Sequence, residues 1–117
     1  LWEEDENKKP FFLQIAIPKV KENWNNLFQV TKKWIEKEEN NSEAWYEYGF
    51  ANEKILNFEE ALNSYNKSIV LDKNNSDSMY RSALLHKRNG DLIKAKKIQK
   101  NLLIVDEVKG LELKNLL

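Results

Sequence analysis

The chain has 117 residues, 19 basic against 19 acidic side chains, 41% hydrophobic residues and no cysteine. That length suits one domain rather than two, buries roughly 60–70% of the surface of its unfolded chain, and with zero net charge argues against intrinsic disorder. Balanced charge leaves no broad field for nucleic acid or an anionic membrane, and the missing cysteine excludes disulfides, thiolate metal sites and a cysteine nucleophile.

Residues 1–9 are acidic, then lysine-rich, and we expect a mobile segment. A secretory signal starts basic, whereas Leu1-Trp2-Glu3-Glu4-Asp5-Glu6 is acidic. The chain lacks an initiating methionine, so we expect a piece of a longer protein. The longest apolar run, Phe11 to Ile17, is far short of the about 20 residues that span a bilayer. It reads as a short helix interrupted by Pro18 or as an extended segment. Proline inside a helix costs about 3 kcal/mol, so a break or kink is expected there. Trp24, Leu27, Phe28, Thr31, Trp34 and Ile35 then share one helical face, predicting a helix from about residue 22 to about residue 38.

A 34-residue period follows. Asn40-Asn41-Ser42 returns as Asn74-Asn75-Ser76, and Phe58, Ala61, Ile69 and Asp72 return as Leu92, Ala95, Leu103 and Asp106. Ser42 is the expected N-cap of a helix carrying Trp45, Tyr48, Ala51 and Ile55. Asn57-Phe58-Glu59-Glu60 resembles a capping box, and opens a face of Phe58, Ala61, Leu62, Tyr65, Ile69 and Leu71. Ser76 is expected to cap again, before Met79, Ala83 and His86. Gly90 ends that helix, and Asp91 caps a face of Leu92, Ala95, Ile98, Leu102, Leu103 and Val105. Gly110 is expected to break the chain ahead of a short end-capping helix, which a solenoid needs.

These residues resemble the tetratricopeptide repeat. Trp45, Tyr48-Gly49, Ala51, Phe58, Ala61, Tyr65 and Ser68 stand at that family's spacing, as do Met79, Ser82-Ala83, Gly90, Ala95 and Asp106. Small residues at Gly49, Ala83, Ala61 and Ala95 let helices approach closely. Leu56 stands where the family has a turn glycine, Lys73 and Glu107 where it has proline, and Leu102 where it has a second small residue. The resemblance implies an all-α fold of antiparallel helical hairpins stacked as a short right-handed solenoid. Its divisions are a degenerate hairpin over 10–41, repeats over 42–75 and 76–109, and a capping helix over 110–117.

It also implies a scaffold or adaptor that binds a protein or peptide on the concave face of the first helices. Carried over, that groove comprises Glu43, Tyr46, Glu47, Phe50, Lys54, Asp77, Tyr80, Arg81, Leu84, Lys87 and Arg88. Tyr46, Phe50, Tyr80 and Leu84 are not needed by the inner faces traced above, which makes them anchor candidates; the alternative is that an end segment covers them. Some relatives clamp a C-terminal carboxylate with lysine, arginine and asparagine. Here only Arg81 matches, Tyr46 and Phe50 replace a lysine and an asparagine, and Glu47 and Asp77 repel a carboxylate, so no such clamp is expected.

The rest has plainer readings. Lys94, Lys96, Lys97 and Lys100 form a solvated face before they form a phosphate site. His86 sits at a core aromatic position. Glu36, Glu38, Glu39 and Glu43 lack the companions of a metal site. Phosphate loops, nucleophile elbows and HExxH are missing, so neither catalysis nor a cofactor is expected. Two alternatives stay open: an internal stretch of a longer solenoid, signalled by exposure of Leu102, Leu103, Leu116 and Leu117 and by self-association, and an RNA-processing half-repeat protein. The latter family favours Ala-Arg where this chain has Ala61-Leu62 and Ala95-Lys96. Nucleic acid is disfavoured, no membrane association is expected, and cytoplasm is the expected location.

Overall fold

The computed structural model describes residues 8–117, so most of the segment expected to be mobile lies outside the described residues. Eight helices follow one another: α1 (Phe11–Gln14), α2 (Ala16–Val20), α3 (Trp24–Lys37), α4 (Ser42–Lys54), α5 (Phe58–Leu71), α6 (Ser76–Arg88), α7 (Leu92–Val105) and α8 (Glu107–Leu116). No strand occurs among the described residues. They stack into an elongated body of 54 × 25 × 23 Å, an all-α helical-repeat solenoid. No described helix is long and apolar enough to cross a membrane.

The backbone keeps the 34-residue period more faithfully than the side chains do. α3, α5 and α7 each have 14 residues and start one period apart; α4 and α6 have 13 and do the same. The broken pair α1–α2 ends at Val20, one period before α4 ends at Lys54. The three turns that follow share one geometry. Glu22, Leu56 and Gly90 all have left-handed φ, at 55°, 69° and 82°. The next N–H, from Asn23, Asn57 or Asp91, reaches back to the carbonyl of Pro18, Asn52 or His86, at 2.8 Å in each case. That is the Schellman closure of a helix end. Only the third turn uses glycine. The other two hold L side chains in a conformation that costs about 1–2 kcal/mol.

Several local expectations are corrected. The break in the first segment falls at Ile15, one turn before Pro18. Pro18 has no N–H to offer the Gln14 carbonyl and its ring crowds that carbonyl, so α1 stops at Gln14 and α2 resumes with Pro18 buried inside it. The helix expected over about 22 to about 38 is α3, tightened by the left-handed Glu22 and capped by Asn23. Ser42 and Ser76 are the first helical residues; the caps are Asn41, whose side chain accepts from Glu43 N and Ala44 N, and Asn75, which accepts from Ser78 N. Asn57 makes no side-chain cap bond, and its Nδ2 donates to Asn52 Oδ1. Gly110 does not break the chain. It lies buried inside α8, which starts at Glu107 rather than at 110, and a Cβ there would lie 2.7 Å from Leu103 N. Asp106 needs no linker: it ends α7 through an N–H bond to Leu102 O and caps α8 by accepting from Lys109 N.

The core runs along the stack in three clusters. The first gathers Ile15, Leu27, Trp34, Ala44 and Ala51; the second Ala61, Tyr65 and Leu85; the third Met79, Ala83, Ala95, Leu102 and Leu113. The close approach expected at Gly49 is present, since a Cβ there would sit 2.8 Å from the Tyr65 ring. One position of the second helix decides each seam between hairpins. Trp34 fills the first, with Phe11 stacked on it at 5.8 Å. Ser68, one period on, joins Ser42, Asn75 and Ser78 in a hydroxyl and amide cluster with bonds of 2.8–2.9 Å. Leu102, a further period on, is fully buried in the cluster with Leu113 of α8. Leu92 and Leu103, expected on the apolar face of α7, are 38% and 36% exposed instead.

Candidate functional site

One face of the stack is built by α2, α4, α6 and α8. On it Tyr46, Asp77, Tyr80, Arg81, Lys109 and Glu112 line a cleft of about 250 Å³. Of the side chains expected in the groove, Tyr46, Asp77, Tyr80 and Arg81 are brought together there, and the expected aromatic anchors are not free. Tyr46 and Phe50 stack at 6.5 Å, and Tyr46 also packs on Tyr65 at 5.8 Å. Phe50 meets the edge of Trp24 at 5.8 Å. Tyr80 and Leu84 lean on the third core cluster. The inner faces therefore use these side chains more than their spacing indicated, and each is half-buried.

The charges are organised in pairs that cross from hairpin to hairpin. Lys19 of α2 donates to both carboxylate oxygens of Glu47, at 3.0 and 3.2 Å; Glu47 is only 4% exposed. The equivalent pair one period on has reversed polarity: Glu53 of α4 accepts from Arg81 at 3.3 Å. Glu53 also accepts the Tyr65 hydroxyl at 2.8 Å. Burial, then the nearby Glu53 charge, pushes the Tyr65 hydroxyl far above its ordinary range. Lys54 stands over Phe50 and Trp24, at 5.3 and 5.4 Å. Arg88 covers Phe58 at 4.0 Å, and Lys87 donates to the Leu116 carbonyl. Lys109 pairs with Asp77 at 3.4 Å. Loss of solvent, then the charges of Glu47 and Asp77, raises the proton affinity of the Glu43 carboxyl.

Sequence reasoning missed Lys19, Glu53, Lys109, Glu112 and Phe12. Lys19, Lys109 and Glu112 come from helices that were not expected to face the groove. Phe12 carried a readable signal, because it stands one period before Tyr46 and two before Tyr80. It is 61% exposed, with Leu13, Ala16 and Val20 exposed beside it on α1 and α2. Elsewhere, His86 is half-buried and its proton affinity is lowered by burial and then by Lys94. Lys94, Lys96, Lys97 and Lys100 are exposed along α7. Glu38, of the acidic loop, accepts from the Asn41 amide at 3.0 Å.

Among solved structures, the TPR2B domain of yeast Sti1, in a complex with pHsp70, matches with a TM-score of 0.83 at 19% identity, over 91% of this chain and 89% of that one. The fold is that of a tetratricopeptide-repeat domain. A crystal structure of MamA matches with a TM-score of 0.77 at 20% identity, over 83% of this chain and 57% of that one. MamA from Desulfovibrio magneticus RS-1, residue 41 to its end, matches with 0.76 at 13%, over 84% and 55%. The chain thus spans little more than half the length of the MamA chains. At these identities the likeness is one of tetratricopeptide architecture. No protein-family model matches the sequence, and no curated protein does.

Proposed function

We propose that this chain is a non-catalytic adaptor that holds a peptide or a partner protein in the face built by α2, α4, α6 and α8. The observation that carries the reading is the pair of tyrosines one period apart, Tyr46 of α4 and Tyr80 of α6, that border the cleft; Phe12, one period earlier, lies on α1 outside it. Aromatics bury much area at low entropy cost. The pHsp70 complex of the Sti1 TPR2B domain supports use of this fold for protein recognition; fold likeness alone does not assign a partner. In this reading residues 10–41 are a degenerate first repeat, 42–75 and 76–109 are full repeats, and α8 closes the stack. The working surface is that of Glu43, Tyr46, Phe50, Asp77, Tyr80 and Arg81 with their neighbours Glu47, Lys54, Leu84, Lys87 and Arg88. We place it in the cytoplasm, where a chain without cysteine needs no oxidising compartment.

The test is capture from lysate by the intact chain and by a Tyr46→Ala, Tyr80→Ala variant whose helicity is checked by circular dichroism. Loss of a captured protein by the folded variant is the expected result. Equal capture by both removes the groove from the reading.

A second reading, an internal stretch of a longer solenoid, draws on the outer apolar side chains. Of the four leucines named for it, Leu103 and Leu116 are exposed, Leu102 is buried and Leu117 half-buried, and Phe12, Ile17, Ile104 and Val108 are exposed as well. Concentration-dependent association in ultracentrifugation favours it. RNA binding through the exposed Lys96 and Lys97 is tested by retention on RNA at low salt, and is dropped if exchange of both for glutamate changes nothing.

A further inference from the structure

We propose, on the basis of the groove reading, that the partner segment is basic: a lysine or arginine side chain of the ligand seats between Tyr46 and Tyr80, against Asp77 and Glu112 of the cleft lining, with Glu43 three residues before Tyr46 on α4. The basic side chains around this face are already engaged within the chain. Lys19 serves Glu47, and Arg81 serves Glu53 while stacking over Phe50 at 4.6 Å. Lys54 and Arg88 lie on aromatic rings, and Lys87 is held by the Leu116 carbonyl. The acids are not matched in the same way. Among the described residues, Glu43 and Glu112 belong to no ion pair. Loss of solvent raises the proton affinity of Glu43 first, and the charges of Glu47 and Asp77 add to it against the opposing charge of Lys19. Asp77 alone has a cation, Lys109, and both ends of that pair are solvent-accessible. Such a pair contributes about 0–1 kcal/mol, so an incoming cation can displace it.

The cleft's shape agrees with that charge. At about 250 Å³ it is too small for a folded element and suits one long side chain. Two tyrosines wall it, and Tyr80 has no ring partner among the described residues. Its side chain borders the cleft, and an aromatic quadrupole attracts a guanidinium or ammonium. Arg81 and Lys109 also line the cleft, but Arg81 is held by Glu53 and Lys109 by Asp77, so the Glu112 carboxylate, which has no ion pair among the described residues, and the aromatic face favour a cation over an anion. An acidic tail would meet Glu43, Asp77 and Glu112 with like charge, so the partner surface is expected to carry lysine or arginine rather than a terminal carboxylate.

The probe is a set of blocked nonapeptides of alanine, glycine and serine carrying two lysines, two arginines, two glutamines or two glutamates, titrated into the whole chain at about 50 mM salt and followed by NMR at Tyr46 and Tyr80. The lysine and arginine peptides are expected to bind about ten-fold more tightly than the glutamine peptide. A Glu43→Gln, Glu112→Gln variant, changed only at exposed positions, is expected to lose that preference, and Glu43→Lys, Glu112→Lys to turn it toward glutamate. Equal binding of the glutamine or glutamate peptides at the same resonances overturns the basic preference while leaving the groove reading in place. If no peptide moves these resonances at millimolar concentration, both fall.

Discussion

The seam at Ser68 and the seam at Leu102 occupy the same place in successive repeats and are made of opposite materials. At Ser68 the second and third hairpins meet through hydroxyls and an amide: Ser68 donates to the Ser42 carbonyl and lies 2.8–2.9 Å from Asn75 Nδ2 and Ser78 Oγ. At Leu102 the third hairpin meets α8 through hydrocarbon, with Leu113, Met79 and Val105 around it. The hairpins α4–α5 and α6–α7 keep the same helix lengths and the same internal turn, whereas α8 has only 10 residues and joins α7 through Asp106 alone. The contrast teaches that caps and turns set the repeat geometry, and that the seam is free to be polar or apolar once its donors and volumes are matched.

Three substitutions test that contrast. The largest effect is expected from Leu102→Ala, which empties a fully buried site. Urea denaturation should show a loss of about 3 kcal/mol. A loss near zero would mean that α8 does not seal the stack. A smaller effect is expected from Ser68→Ala, about 1–2 kcal/mol, because the Asn75 and Ser78 groups lose a partner while little volume changes. If this change is neutral, the polar seam is held by its remaining bonds. The smallest is a gain. Leu56→Gly relieves a left-handed leucine that is 73% exposed, and after the entropy cost of glycine should stabilise the chain by up to about 1 kcal/mol. No gain would show that the Leu56 turn is not strained in solution.

The seams also mark how far the sequence could be read. Period, hairpins and small contact residues were legible because they follow from spacing alone: Gly49 against Tyr65 is an example. The turn at Leu56 was legible as a position. Its twin at Glu22 was not, since neither residue is a glycine and the shared φ shows only in the backbone. Gly110 was misread because a helical glycine and a helix-ending glycine look alike until a neighbouring backbone is placed beside them. In the groove, the residues of α4 and α6 followed from the resemblance. Lys19, Lys109 and Glu112 did not, because their meeting with Glu47 and Asp77, or with the cleft, depends on how whole hairpins stack rather than on any local pattern.

The alternating ion pairs have a consequence for how the stack assembles. Lys19 with Glu47 and Glu53 with Arg81 bridge positions of equal separation with the signs exchanged. Were the first hairpin to dock on the third, with the middle one looped out, Lys19 would face Arg81 across the same gap, cation against cation. Repeat chains are prone to such mispairing between similar units, and like charges held face to face penalise it. The order of the hairpins is thus keyed: each unit fits its own neighbour and is turned away by the next one along.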